Sequence, residues 1–448
     1  MGDIQTSVAN SGVQTLDPPK GFFGAIRYIG PGLILSAAIV GSGELIATTT
    51  LGAKAGFALL WVILFGCLAK TAVQIEYGRA CILTGKTTLQ FWNVSLGVHW
   101  TVIIAALYMI ATFAGQAGVL GGAAQVGEYL LPTVSTNIWI AVLVIVLGTL
   151  ASLGRYQFIE LLSLIFNTLF VSAIIYCVFA IQGSEYAFTG GDLASGLQFR
   201  MPPDMLPLAV AAFGITGVAA GEISLYPYWC LEKGYAAWAG PDDGSPQWKV
   251  RARGWIRVMM IDALISMIVF TIATASFYIL GAAVLHTQSE LADGNKFILQ
   301  LSTIFTDVIG PNARTAFMVC SFTVLFSTIF ANIAGFSRMW ADFFSLCGWI
   351  DGADAKQIRA SVFRMAWVFP ILSGLIYFVL QKPLLLVIFM GVVNSLFLIV
   401  VAYQTVSSRY WRTNLSMKPS LVYDIALWIS LASIAFMAGR SIYSLIAG

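Results

Sequence analysis

Two glutamates, Glu44 and Glu222, are the residues of this 448-residue chain best suited to do chemistry. Each ends a small-residue interruption of a long apolar segment, Gly41-Ser42-Gly43 in one case and Ala219-Ala220-Gly221 in the other. A charged group at mid-membrane depth costs roughly 2.5–3.5 kcal/mol on insertion scales and is usually kept for function. Interrupted apolar segments at corresponding positions in two halves of a chain indicate a transporter binding site. We therefore predict a secondary transporter whose site holds something positively charged.

The interruptions also free backbone groups. In hydrocarbon a helix can satisfy only its own N–H and C=O groups, so unwound backbone is tolerated where it faces protein or a wet cavity. A cation at such a place would be held by carboxylates, freed carbonyls, an amide and a hydroxyl. The predicted binding residues are Glu44, Glu222, Val40, Gly41, Ser42, Ala219, Ala220 and Asn394.

Capping is the alternative explanation of the two glutamates, because a helix N-terminus favours negative charge. A helix N-terminus stabilises a carboxylate by at most about 2 kcal/mol. This is less than the insertion cost, so a bound cation or proton would be needed to offset the remainder.

Other polar residues also lie inside apolar segments. Thr328 and Asn332 are further lining candidates, and Lys70, Glu76 and Asp262 are predicted coupling or gating residues, although an internal ion pair explains those three equally well.

Composition places the chain in a lipid bilayer. Hydrophobic residues make up 58% of it and charged residues 10%, whereas soluble domains carry about a quarter charged residues. The apolar stretches are long enough for spanning helices of about 20 residues, and not the ~10-residue strands of a barrel. A net charge of +3 gives no reason to expect nucleic acid as a partner. The six cysteines lack metal-like spacing, and no resident cofactor is predicted.

Hydropathy predicts an all-α membrane protein of eleven spans. They lie near 24–53, 57–82, 100–127, 137–153, 157–181, 205–232, 254–284, 313–346, 361–380, 384–407 and 421–446. The distance from Glu44 to Glu222 carries the first span onto the sixth, so two five-span units would be inverted relative to each other. We predict a tail, 1–23, and one transmembrane domain, 24–448, with repeat one about 24–181, repeat two about 205–407 and an extra helix about 421–446.

Basic residues orient these spans, because cytoplasmic loops carry an excess of Lys and Arg. With the N-terminus in the cytoplasm, seventeen of the 24 basic residues fall inside, and Lys70 lies within a span. The six outside are Lys54, Arg200, Lys296, Arg314, Lys382 and Arg440. We predict a protein of the plasma (inner) membrane with its N-terminus inside and its C-terminus outside.

Three stretches of the sequence are distinctive: Gly30-Pro31-Gly32, then Leu51-Gly52-Ala53-Lys54-Ala55-Gly56-Phe57-Ala58-Leu59-Leu60-Trp61-Val62, and Ile82-Leu83-Thr84-Gly85-Lys86. They resemble the Nramp family of divalent metal transporters. The resemblance is dense over roughly the first 90 residues. It implies a LeuT-type fold, with two inverted five-helix repeats, broken helices 1 and 6 and an eleventh helix, and a divalent cation as the transported substrate.

The chain departs from the family pattern at the site itself. Gly41-Ser42-Gly43-Glu44 stands where the family has Asp-Pro-Gly-Asn, and Ala220-Gly221-Glu222 where it has Met-Pro-His. The family's two acidic residues linked to proton movement match Phe113 and Gln116, so Gln116 is a candidate coupling residue and proton coupling stays open. Losing a sulfur and gaining oxygen ligands favours hard cations. Mg²⁺ or Mn²⁺ is therefore expected over Zn²⁺ or Cu²⁺.

An organic substrate is the competing prediction. The first interruption also resembles the Gly-rich break of amino-acid and polyamine carriers with the same architecture, in which backbone N–H groups hold a carboxylate. Glu44 would lie close to that carboxylate and repel it unless Glu44 were protonated, so an amine or organic cation would suit the two glutamates better. An enzyme is not predicted, because the sequence has no nucleophile–base pair, metal-binding cluster or phosphate loop. The sequence does not decide the oligomeric state.

Overall fold

The computed structural model describes residues 15–41, 43–286, 311–412, 417 and 421–447, and these are almost entirely helical. The spanning helices are α1a (Pro31–Ile39), α1b (the π-helical turn Gly43–Thr48 with the α-helix Thr49–Ala55), α2 (Leu60–Thr84), α3 (Val98–Leu130), α4 (Thr136–Ser152), α5 (Tyr156–Ala180), α6a (Leu206–Ile215), α6b (Ala220–Lys233), α7 (Pro246–Leu280 with the π-helical turn Gly281–Leu285), α8 (Pro311–Leu346), α9 (Ala355–Leu380), α10 (Pro383–Ser407 with the π-helical turn Ser408–Arg412) and α11 (Leu421–Ala447). Short helical segments at Gly21–Ile26, Gly56–Leu59, Thr88–Leu96, Ile181–Gly183, Gly190–Ser195, Pro203–Met205 and Tyr235–Ala239 connect or flank them.

All eleven predicted spans correspond to helices or half-helices within the described residues. Eight helical stretches there are long and apolar enough to cross a bilayer, and the first, Pro31–Thr84, contains two predicted spans. The remaining two are α4, which is shorter, and α6, which is divided into halves. The predicted all-α membrane fold with broken first and sixth helices is confirmed.

Three predicted boundaries are wrong. The first span was expected to begin at residue 24, but α1a begins at Pro31, because proline suits the first helical position and Gly30 leaves the helical region before it. The seventh and ninth spans were expected to begin at 254 and 361. α7 and α9 instead begin at Pro246 and Ala355, since Ser245 and Asp354 cap their first turns beyond the apolar stretches.

The two breaks have the local causes expected from their residues. α1a ends at Ile39, and Val40 turns out of the helix with φ −69° and ψ 83°. α6a ends at Ile215, after which Thr216 is extended and Gly217 has φ +61°, a left-handed conformation that favours glycine. The chain then re-enters a helix at Ala220.

The helices around the breaks form one packed body. α7 lies along α2, and α8, α9 and α10 pack on α3. α6a packs against α10, while α1a is enclosed by α5, α7 and α8. Both broken helices therefore lie inside a ring of continuous ones, which is the protein-lined setting that unwound backbone requires.

The start of α1a is fixed to α7 by a buried carboxylate. Asp262 accepts hydrogen bonds from the N–H groups of Gly30 and Gly32, at 2.8 and 2.7 Å, and from the Tyr226 hydroxyl at 3.2 Å. Lys233 donates to the carbonyl of Ile29 at 3.0 Å and to Glu160 at 2.7 Å. We call Asp262, Tyr226, Lys233 and Glu160 the α1a clamp.

A buried ion network joins α2, α10 and α11 at one end of the molecule. Glu76 accepts from Arg79 at 2.5 Å and from Arg409 at 3.0 Å. Arg409 also pairs with Asp424 of α11. Glu76, Arg79 and Arg409 are almost entirely buried, so the network ties the extra helix to the helices beside it.

Arg409→Met should lower the thermal unfolding midpoint of the purified protein in detergent. The change leaves Glu76 with one cation and Asp424 without its Arg409 pair, and breaking a buried ion pair costs roughly 3–5 kcal/mol. Arg359→Met is the matched control, because Arg359 is exposed. Equal midpoints for the two variants would show that the network contributes no stability.

Candidate functional site

A cavity lies where the two breaks face each other. Its volume is about 50 Å³, measured as the space open to the centre of a water molecule. Ile39 and Gly43 line it from α1, Ala219 and Glu222 line it from α6, and α3, α8 and α10 supply the remaining wall. On this measure one water needs about 10–15 Å³. The cavity therefore has room for a small cation and a few waters.

Glu222 supplies the carboxylate of this cavity from the first turn of α6b. Its Oε2 atom is shielded from solvent and has no hydrogen-bond partner among the described residues. The same holds for two other lining acceptors, Oε1 of Gln116 and Oδ1 of Asn332. Unpaired buried acceptors are costly, so three oxygens without donors around one cavity call for a cation, a proton or water.

Glu44 faces a different direction, although its sequence context matches that of Glu222. It is fully buried and accepts from the N–H of Gly41 at 3.1 Å and from the Thr274 hydroxyl of α7 at 3.2 Å. Its carboxylate thus closes the α1 break against α7. The π-helical turn that begins at Gly43 contributes to this orientation, because a wider turn rotates the side chains that follow relative to a regular helix.

Gly41 is fixed by a close contact with α8. A Cβ atom there would lie 1.8 Å from the Thr328 hydroxyl and 2.7 Å from its Cβ. That hydroxyl donates to the carbonyl of Ala37 at 3.3 Å. The α1 break and α8 can approach this closely only because residue 41 has no side chain.

Comparison with known proteins decides the family. The Nramp family model, described as natural resistance-associated macrophage protein-like, matches residues 32–447. The chain belongs to the Nramp family. Because this is a family of transporters, the prediction of a membrane transporter and not an enzyme is confirmed.

Individual relatives are distant. An uncharacterized protein of Pasteurella multocida is 27% identical over 361 residues, covering 78% of this chain and 76% of that protein. The divalent metal cation transporter MntH of Brucella suis is 25% identical over 378 residues, covering 83% and 78%. A manganese transporter mutant of Eremococcus coleocola has a similar structure, with a TM-score of 0.70 at 15% identity over 98% of this chain and 91% of that one.

Transporters outside the Nramp family share the fold. Mhp1, a nucleobase-cation-symport-1 family transporter, matches with a TM-score of 0.58 over 97% of this chain and 96% of its own, at 13% identity. The predicted LeuT-type fold is therefore confirmed. Sequence identities this low show a shared fold and give no information about the substrate.

The predicted site residues of this Nramp protein divide into two groups. Ala219, Glu222 and Asn394 line the cavity, as does Gln116, the candidate for coupling. Val40, Gly41, Ala220 and Glu44 belong to the breaks without being part of the described lining, and Ser42 lies outside the described residues.

The remaining coupling or gating candidates lie elsewhere. Glu76 belongs to the ion network and Asp262 to the α1a clamp, so both carry structural contacts. Lys70 is buried on α2 and donates to the carbonyls of Phe213 and Thr216 at the end of α6a.

Tyr108, Phe336 and Met390 are among the lining residues that sequence reasoning missed. Tyr108 donates to Oδ1 of Asn394 at 2.8 Å. A four-residue spacing was the available signal, since Tyr108, Thr112 and Gln116 share one face of α3. Met390 likewise precedes Asn394 by one turn of α10. Its thioether corrects the expectation that the site has no sulfur.

Asp262→Asn should loosen the start of α1a from α7. An asparagine presents one oxygen and one NH₂, so the N–H of Gly30 or Gly32 would lose its acceptor, at a cost of about 1–3 kcal/mol. We expect a lower thermal unfolding midpoint in detergent and faster cleavage by added protease before Pro31. Glu185→Gln, at an exposed position, is the control and should change neither. Unchanged cleavage in Asp262→Asn would show that the carboxylate does not hold this segment.

Proposed function

We propose that this Nramp protein transports a divalent metal cation, Mg²⁺ or Mn²⁺ in preference to softer metals, by alternating access across the membrane. The observation that carries the proposal is the unpaired Oε2 of Glu222 in a cavity between the two breaks. Family membership and relatives named as divalent metal cation or manganese transporters support it.

The proposed ligands are mainly hard oxygen donors. Glu222 would give the charged ligand, and the amide oxygens of Gln116 and Asn332 and the carbonyl of Ala219 would assist it. Mg²⁺ keeps several of its waters and is bound through one or two carboxylates, which suits a cavity of this volume with one carboxylate in its wall. Val40, Gly41, Ser42, Ala220 and Asn394 stay predicted ligands or neighbours of the ion.

Glu44 has a second role in this proposal. Its carboxylate is held by Gly41 and Thr274, so we propose that it shapes the α1 break and adds negative charge from behind the cavity wall. Direct contact with the cation would require Glu44 to exchange these partners.

The positions of the clamp and the cavity support the alternating access that we propose. With the N-terminus in the cytoplasm, the α1a clamp lies at the inner end, and the lining residues Val119, Val387 and Met390 extend the cavity from the breaks toward the outer half. We propose that release of the clamp opens the inner side. The inverted relation of the repeats, 24–181 and 205–407, and the orientation of the termini remain predictions that this scheme uses.

An organic cation is the second candidate, favoured by the aromatic walls of the cavity. Tyr108 and Phe336 lie beside Glu222, and aromatic faces attract ammonium groups. The structures of Mhp1 with bromovinylhydantoin and of MhsT with L-phenylalanine share this fold. Tracer polyamine or amino-acid uptake by proteoliposomes that do not take up divalent cations would favour this candidate.

Glu222→Gln should lower Mg²⁺ or Mn²⁺ uptake into proteoliposomes by tenfold or more, because loss of the charged ligand costs at least about 1.4 kcal/mol. Glu44→Gln is the matched variant with the same substitution in the same sequence context. It keeps an oxygen for Gly41 or Thr274, so its uptake should fall less. Normal uptake by Glu222→Gln with none by Glu44→Gln would reverse the proposed roles.

Met390→Leu should weaken inhibition of Mn²⁺ uptake by Cd²⁺ roughly five- to tenfold, or about 1–1.4 kcal/mol, because thioethers bind soft cations. Mg²⁺ uptake should change little, since Leu has a similar volume. Met318→Leu is the control, because Met318 is buried on α8 outside the described cavity lining. Equal loss of Mg²⁺ and Cd²⁺ affinity would show that Met390 contributes packing to the cavity wall and is not a ligand of soft cations.

A further inference from the structure

Lys70 bonds to the carbonyls that the break in α6 sets free. Its Nζ donates to the carbonyl of Phe213 at 2.5 Å and to that of Thr216. These carbonyls lie at the C-terminal end of α6a, where the helix supplies no N–H partner and its dipole favours positive charge. Lys70 itself is fully buried on α2, so this ammonium has no contact with bulk water.

The surroundings of the Lys70 ammonium are those of a cation site. The break that carries these carbonyls leads into α6b, whose first turn holds Glu222. Glu44 bonds to Thr274 of α7, the helix that packs along α2. The ring of Phe213 lies 4.8 Å away. Backbone carbonyls at an unwound helix end, with carboxylates nearby, are the groups that hold coupling ions in transporters with broken helices.

The packing leaves the ammonium in close contact with these groups. At Gly66 of α2 a Cβ atom would lie 3.2 Å from the Phe213 ring, and at Gly217 it would lie 3.0 Å from the Cα of Cys67. Glycine on both sides lets α2 approach the break closely. Lys70 therefore reaches the freed carbonyls directly.

The geometry points to a monovalent-cation site that the chain fills with its own Lys70 ammonium. Lys70 is a positioning residue in this inference: its ammonium fixes the end of α6a next to Glu222. The inference deepens the proposed function, because a built-in cation removes the need for Na⁺ or K⁺ in transport.

A positive charge beside the cavity suits a transporter for a second reason. Conduction through a site requires binding weak enough for release, and an ammonium near the Glu222 carboxylate weakens the binding of a divalent cation without touching it. Loss of Lys70 should therefore slow release of the cation and disturb the shape of the break, and both effects lower uptake.

Chemical rescue tests the inference. Lys70→Ala removes a propylammonium-sized part of the side chain, so 5–20 mM n-propylammonium should raise the thermal unfolding midpoint of the purified variant by several degrees, by mass action. 1-Propanol, which has similar volume and no charge, and tetramethylammonium, which has charge and no N–H donor, should not. Lys70→Met fills the volume without charge and should show no rescue.

Transport gives the second measurement. Wild-type Mg²⁺ or Mn²⁺ uptake should be unchanged when Na⁺ and K⁺ are replaced by choline at constant ionic strength, and Lys70→Met should lose at least tenfold. Equal rescue of Lys70→Ala by 1-propanol, normal uptake by Lys70→Met, or a requirement of the wild type for Na⁺ or K⁺ would each overturn the inference. If Lys70→Ala does not fold, the Lys70→Met and ion-replacement measurements still decide.

The two proposals can fail separately. Rescue of the unfolding midpoint by n-propylammonium needs no transported substrate, so it supports the cation site even if the wild type moves neither Mg²⁺ nor Mn²⁺. Uptake of divalent cations that is insensitive to Lys70→Met would leave the proposed function intact and remove the role of Lys70.

Discussion

The rest of this structure depends on one constraint: backbone groups freed inside a bilayer must find partners within the protein. Three buried charged side chains meet that need. Asp262 accepts from the first N–H groups of α1a, Glu44 accepts from Gly41 in the first break, and Lys70 donates to the end of α6a. These ionisable residues are therefore parts of the helix termini as well as charges near a cavity. Glu222 differs from them, because its Oε2 has no such partner among the described residues.

This division separates a supported frame from the cavity, where three lining oxygens have no hydrogen-bond donor among the described residues. The ion network of Glu76, Arg79, Arg409 and Asp424 ties α2, α10 and α11 together, and α7 holds α1a through Asp262. Between them the cavity collects acceptors without donors. Such a cavity can bind a ligand that supplies positive charge or hydrogen-bond donors. The unpaired acceptors in its wall therefore determine which ligands it can bind.

Local patterns in the sequence predicted the spans and both breaks, because apolar length and glycine content act within a single helix. They could not predict that Glu44 and Glu222 face different neighbours. Both follow Gly in similar runs, yet Glu44 lies in a π-helical turn and bonds to Thr274 of α7, a residue 230 positions away. Side-chain direction at a break depends on such distant partners. Met390 could not be predicted as a lining residue for the same reason, because its position in the cavity wall depends on how α10 is rotated against α3.

The contact between Gly41 and Thr328 also limits how this protein can diverge from its relatives. The resemblance described above predicts that position 41 corresponds to the family's aspartate, and even a single added carbon there collides with the Thr328 side chain. A side chain at position 41 therefore requires a smaller residue 328 or a shifted α8, and either change alone would leave a gap beside the α1 break. The two positions are thus expected to change together, so that a natural sequence with a side chain at 41 should carry a smaller residue at 328.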